Sequence, residues 1–225
     1  MENFMAFNFQ ELPFVIISLV IAFTIHEFAH AFTAYLCGDP TAKNQGRLTL
    51  SPIAHLDPIG TILLLIAGFG WARPVPVDRR NFKRPHLYGI LVSIAGPLSN
   101  ILIAVVGIIV FYSLFTTGVV DGVSEKGIDF IDRLINMLVY LNVLLFVFNL
   151  LPVPPLDGYR VLEDLAPDRV RAKMMKYEHF GVIIFLILVL TPLDRYTIYP
   201  IFNTIVPAVA NTVDNWIRPF FESGI

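Results

Sequence analysis

Apolar residues run almost unbroken from Pro13 to Leu36, and Gly38-Asp39-Pro40 then ends the run. Proline is tolerated in a first helical turn, whereas Gly-Asp-Pro does not continue one, so the pattern predicts one membrane-length helix. Comparable runs follow at Leu87–Phe115 and Leu134–Leu151, with weaker ones at Phe180–Leu190, extending to Leu193, and at Ile198–Ile217. A span needs ~20 apolar residues, which leaves the fourth run marginal. The fifth is diluted by Asn203, Asn211 and Asp214. The segment "PIGTILLLIAGFG", 58–70, is different: as a helix it covers only ~20 Å of a ~30 Å hydrocarbon core. Ahead of it, in "GRLTLSPIAHLDPIG", 46–60, Leu48 and Leu50 alternate with polar residues as in a strand. This region reads as a hairpin that dips into the membrane and returns. The expected architecture is an all-α polytopic membrane protein. Residues 1–160 form the core, with helices near 13–37, 87–116 and 133–152 and a re-entrant stretch near 44–70. Residues 161–225 add one or two further membrane helices.

Composition supports lipid as the solvent. The chain is 56% hydrophobic and 15% charged, with a mean hydropathy of +0.68, against roughly 45–50% apolar residues in soluble domains. A net charge of −2 gives no sign of a nucleic-acid partner. The lone Cys37 excludes an intrachain disulfide. "MENFMAFNFQELPF" has no Lys or Arg and so lacks the basic start of a signal peptide, and the first helix is expected to be retained.

Charge also sets the orientation. Arg73, Arg79, Arg80, Lys83 and Arg84 follow the short segment, and Arg160, Arg169, Arg171, Lys173 and Lys176 follow the third helix. The connection "TTGVVDGVSEKGIDFIDR" between the long helices is mostly acidic. The positive-inside rule puts both basic stretches in the cytoplasm and the acidic loop outside. The first helix then ends on the cytoplasmic side, provided that residues 40–72 do not cross.

Within the first helix lies "AFTIHEFAHAF", 22–32. His26 and His30 are one helical turn apart, so both imidazoles can hold one metal ion, and Glu27 is placed as a base toward water. This is the H-E-x-x-H pattern of zinc metalloproteases. The bland alternative is a pair of satisfied helix histidines, but nothing near in sequence pairs with them. Ionisable groups at mid-membrane cost ~2.5–3.5 kcal/mol, which makes function the default reading. Counting back from Gly38, His30 and His26 lie ~12 and ~18 Å from the cytoplasmic helix end.

A catalytic zinc takes three protein ligands and keeps one position open. "FNLLPVPPLDGYR", 148–160, offers the third. Prolines 152, 154 and 155 unwind the chain, and Asp157 follows at the cytoplasmic end of an inward-running helix, on the histidines' side. A helix cap or turn role is the alternative for Asp157.

"HEFAH", "AGPLSN" (95–100) and "NLLPVPPLDG" (149–158) together resemble the site-2 protease family of intramembrane zinc metalloproteases, peptidase family M50, over residues 13–160. The resemblance implies one zinc per chain on His26, His30 and Asp157, with Glu27 as the catalytic base. It further implies a multi-pass cell-membrane protease that hydrolyses peptide bonds in or near a transmembrane helix of a protein substrate. Asn149 matches the asparagine of the family's proline-rich segment, where it contacts substrate or supports the metal, or else bonds between helices. Asn100 either bonds across to the first helix or belongs to the packing around Gly96 and Pro97. His55 is expected either near the site or at the membrane interface. The loop between Phe115 and Leu134 is too short for an inserted PDZ domain.

Two other functions compete. A zinc transporter needs a path of ligands across the membrane, whereas these cluster at one depth. An inactive membrane-protein-binding relative has no use for Glu27. Serine and aspartyl intramembrane proteases fit poorly, since the chain has no G-x-S-G site and no second intramembrane aspartate beside Asp157.

Orientation is testable by cysteine labelling in a Cys37→Ser background. Arg80→Cys and Lys173→Cys should react only from the cytoplasmic side, and Glu125→Cys only from the other. Reaction of positions 80 and 125 from the same side would contradict the re-entrant scheme.

Overall fold

The computed structural model describes residues 8–67 and 70–222. Residues 1–7 of the stretch read for a leader, and residues 68–69 of the short apolar segment, lie outside the described residues. The first helix, α1 (Leu12–Leu36), carries Pro13 in its first turn, and the chain leaves it through Gly38 at φ +101°. Three short helices follow, α2 (Thr41–Asn44), α3 (Pro52–His55) and α4 (Pro58–Ala67). A 3-10 turn at Arg79–Asn81 leads into α5 (Pro85–Thr116), then α6 (Glu125–Asn149) and α7 (Asp157–Leu165). The chain continues through α8 (Asp168–Leu190), a 3-10 turn at Pro192–Tyr196, α9 (Ile198–Ile217) and α10 (Pro219–Glu222). Helices α1, α5 and α6 are long and apolar enough to cross a membrane, and the fold is all-α.

Two expectations need correction. Residues 46–60 contain no strand, because Pro52 and Pro58 open helices where a ladder would need their N–H groups. Asp57 reinforces α4 by accepting the Gly60 N–H at 2.8 Å. Among the described residues pairing is reduced to one antiparallel bridge, Leu56 with Ala72, beside an Arg73 N–H···O bond to His55 of 2.7 Å. That bridge carries a topological consequence. The chain returns beside its own entry point after α4, a helix of only ~15 Å. The second correction concerns α6, which starts at Glu125 and not near Leu134. The Ser124 hydroxyl accepts the Gly127 N–H and Asp129 pairs with Arg133 one turn on, so polar residues extend the helix beyond its apolar part. The apolar run at 180–190 is likewise the second half of α8, whose first half is charged.

Helix α1 packs against both α5 and α6. Val15, Leu19, Ala22 and Phe23 meet Leu141 and Leu145 of α6. Ala104, Val143, Val147 and Val206 join α5, α6 and α9. Ala34, Phe82 and Val92 close the end of α1 that leads into the loop. Small residues set the helix spacing, as expected where lipid is no less apolar than the interface: Ala22, Ala31, Ala34 and Ala104 are fully buried. On α5 the large apolar residues Leu98, Leu102, Val106 and Val110 face outward at four-residue spacing, while Asn100 faces inward and is fully buried. Apolar out and polar in is the pattern for a helix whose solvent is hydrocarbon.

Candidate metal centre

Helix α1 presents His26 and His30 toward α5, with ring centroids 4.6 Å apart and planes near perpendicular at 82°. The approach depends on Gly96: a Cβ there would lie 2.3 Å from His30 Nε2 and 2.6 Å from His26 Cε1. Each imidazole has its Nδ1 engaged. His30 Nδ1 is 2.7 Å from the Val92 carbonyl oxygen, and His26 Nδ1 is 2.7 Å from Asn100 Oδ1. A carbonyl oxygen only accepts, so the His30 proton sits on Nδ1 and the Nε2 lone pair is left free. Asn100 Nδ2 donates to Asn142 Oδ1 at 2.9 Å, which turns Asn100 Oδ1 toward His26 and fixes the same tautomer there.

The two free Nε2 atoms lie 3.0 Å apart. Asp157 Oδ2 lies 3.2 Å from that of His26 and 3.3 Å from that of His30. This oxygen is buried and has no hydrogen-bond partner. Two lone pairs and a carboxylate oxygen facing one another repel, and a cation between them removes the repulsion. Among the described residues these three form the group whose ligand atoms all lie within 4.8 Å of one another. Two imidazoles and one carboxylate are a donor set suited to zinc. Imidazoles whose other nitrogen donates to a fixed oxygen are the usual arrangement around a metal.

The chain delivers Asp157 by stopping α6 at Asn149. Prolines at 152, 154 and 155 prevent its continuation, and turn bonds from Val153 N–H to Leu151 O and Leu156 N–H to Val153 O bring α7 in with Asp157 as its first residue. Gly158 packs against the end of α6 so closely that a Cβ would lie 2.3 Å from the Leu150 carbonyl oxygen. At the far end of α7, Glu163 and Asp164 are almost wholly buried. Arg79 Nη1 reaches Asp164 at 2.7 Å and Glu163 at 3.2 Å, and Arg160 reaches Glu163 at 3.0 Å. Burial pushes the Asp164 carboxyl above its ordinary range, against the pull of Arg79 and Arg171. Helix α7 is thus held at both ends.

Glu27 is buried beside the pair but outside the three-atom cluster, and its Oε2 accepts the Val75 N–H at 3.0 Å. Val75 belongs to a segment anchored on either side. Arg73 O accepts from Arg47 Nη2 at 2.5 Å, and Asp78 N–H donates to Asp39 Oδ2 at 2.7 Å. A cleft of about 800 Å³ opens over His26, Glu27, His30 and Asp157, walled by Leu64, Val75, Leu144, Phe148 and Tyr199. Asn149 lies in that wall, with Nδ2 donating to Leu145 O at 3.0 Å. His55 does not join the group: it is fully buried next in sequence to the Leu56–Ala72 bridge, with Nε2 2.7 Å from Thr49 O. The sequence reading passed over Asn142, Arg47 and the Val75 amide. Asn142 had a signal, a side-chain amide amid the apolar residues of α6.

The family model described as Peptidase family M50 matches residues 124–192, a span that includes Asn149 and Asp157. "Putative zinc metalloprotease YwhC" of Bacillus subtilis is 51% identical over 204 residues, covering 90% of this chain and 92% of that one. "Putative zinc metalloprotease Rip2" of Mycolicibacterium smegmatis is 33% identical over 189 residues, covering 81% of this chain and 69% of the relative. Its namesake in Mycobacterium tuberculosis is 33% identical over 183 residues, covering 79% and 67%. No solved structure matches the chain.

Gly96→Ala tests the packing of the pair. The added methyl should push the His30 ring from its place, and zinc per chain, read by atomic absorption, should fall below half while helical circular dichroism is unchanged. Full zinc content in that variant would contradict the close approach of α5.

Proposed function

The chain belongs to peptidase family M50, the site-2 protease family, and is a zinc-dependent metalloprotease with three membrane-length helices among the described residues; from that premise we propose that it cleaves peptide bonds within or near the transmembrane segments of membrane-protein substrates. The observation that carries the reading is the convergence of His26 Nε2, His30 Nε2 and Asp157 Oδ2 with both Nδ1 atoms already spent. These three atoms hold the metal, one ion per chain. Zinc bound there supplies a Lewis acid for the scissile carbonyl and brings the pKa of a water molecule near neutrality.

The chain's own groups do the rest. Glu27, held by the Val75 N–H, takes the proton from water and returns it to the leaving amine. Its neighbourhood to the ligands, without membership of the cluster, suits a base more than a ligand. A substrate helix hides its carbonyls in its own hydrogen bonds, so it unwinds locally in the cleft before attack. Asn149 in the cleft wall offers its amide to the backbone that this unwinding exposes. The basic stretches around Arg80 and Lys173 support an active site nearer the cytoplasmic face of the cell membrane.

Two variants test the assignment together. Glu27→Gln should abolish cleavage of a model transmembrane substrate and keep about one zinc per chain, because a base is lost and no ligand is. Asp157→Ala should lose both cleavage and most of the zinc. Zinc loss in Glu27→Gln, or retained zinc and cleavage in Asp157→Ala, would overturn these roles.

A further inference from the structure

Two fully buried amides, Asn100 of α5 and Asn142 of α6, lie behind the proposed ligands and outside the cleft lining; Asn100 meets the cluster only at His26 Nδ1, and Asn142 does not touch it. Side-chain amides inside membrane helices are unfavourable unless paired, and a simple interhelical pair would satisfy that need. The bonds here do more, because they run in one direction. Asn142 Nδ2 donates to the Leu138 carbonyl oxygen at 2.8 Å, one turn back in its own helix. Asn100 Nδ2 donates to Asn142 Oδ1 at 2.9 Å, and Asn100 Oδ1 meets His26 Nδ1 at 2.7 Å.

The polarity of this relay is fixed at its far end. A backbone carbonyl cannot donate, so only the Asn142 NH2 group can face Leu138. Asn142 Oδ1 must then face Asn100, Asn100 must answer with its NH2 group, and its oxygen is left for His26. The proton of His26 is thereby confined to Nδ1 and the Nε2 lone pair turned to the cluster. His30 gets the same result from a single bond to the Val92 carbonyl. The two imidazoles are therefore set by different means, one by backbone and one through two side chains.

We propose that Asn142 is a positioning residue that sets the tautomer and aim of His26 from two side chains away. The proposal rests on the reading of His26, His30 and Asp157 as zinc ligands. Outer partners of this kind typically change metal affinity by roughly 10- to 100-fold.

The asymmetry provides an internal control. Nitrogen-15 NMR of the metal-free full-length protein reports the tautomer of each histidine, and chelator competition reports zinc affinity. In the wild type Nδ1 of both histidines should stay protonated, whether or not an Nε2 also takes a proton toward Asp157. Asn142→Leu should leave His30 so while His26 mixes tautomers, and zinc should bind roughly 10- to 100-fold more weakly. Asn142→Asp, protonated in this buried position, still offers one donor and one acceptor, and should hold the wild-type tautomer and an affinity within about threefold. An unchanged His26 tautomer in Asn142→Leu with affinity within about twofold of wild type would overturn the proposal. Equal disturbance of His30 would also overturn it, since that marks general loosening of the bundle. Retained zinc in Asp157→Ala refutes the ligand reading itself. Zinc lost in Asp157→Ala but unchanged in Asn142→Leu refutes the relay alone.

Discussion

Two imidazole nitrogens and a carboxylate oxygen standing about 3 Å from one another repel, and burial of the two rings weakens the screening by water. Such a cluster persists when its members are held from behind and positive charge, a proton or a metal ion, sits between them. The rest of the structure supplies the holding. Val92 and Asn100 of α5 secure the two rings, Gly96 lets α5 come within reach, and the proline turn with Gly158 brings Asp157 in from α6. The buried ion pairs of Glu163 and Asp164 fix the other end of the helix that carries Asp157. Every helix of the core contributes to one point.

Lipid makes this division of labour possible. The outer faces of the helices need only be apolar, as Leu98, Leu102 and Val106 of α5 are, so they carry no specific information. The inner faces are then free to spend polar groups on aim. Asn100 and Asn142 are fully buried and directed, and the partly buried Val75 N–H is aimed at Glu27. The segment from Arg73 to Asp78 shows the same economy: Arg47, Asp39 and Glu27 each take one of its backbone groups, and it forms one wall of the cleft.

Much of this was legible in the sequence because membrane helices announce themselves by hydropathy. The bounds of α1 and α9 follow from their apolar runs, and His26, Glu27 and His30 share a face by helical periodicity alone. The nearness of Asp157 followed from two facts read together, a proline stop and a shared side of the membrane. Hydropathy failed where helix continues into water, as at Glu125–Arg133, because capping and ion pairs sustain it there without apolar residues. Alternation misled at 46–60, where two prolines outvote the side-chain pattern. The relay through Asn142 needed the register between α5 and α6, which no local pattern encodes.

The central claim is that the chain's zinc is held by His26, His30 and Asp157. X-ray absorption at the zinc edge of the purified protein tests it directly. The account predicts a sulfur-free shell of nitrogen and oxygen at ~2.0–2.2 Å, with outer scattering from two imidazoles that falls to one in His26→Ala. A sulfur ligand near ~2.3 Å, which only Cys37 or a methionine could give, or imidazole scattering unchanged in His26→Ala, would contradict it.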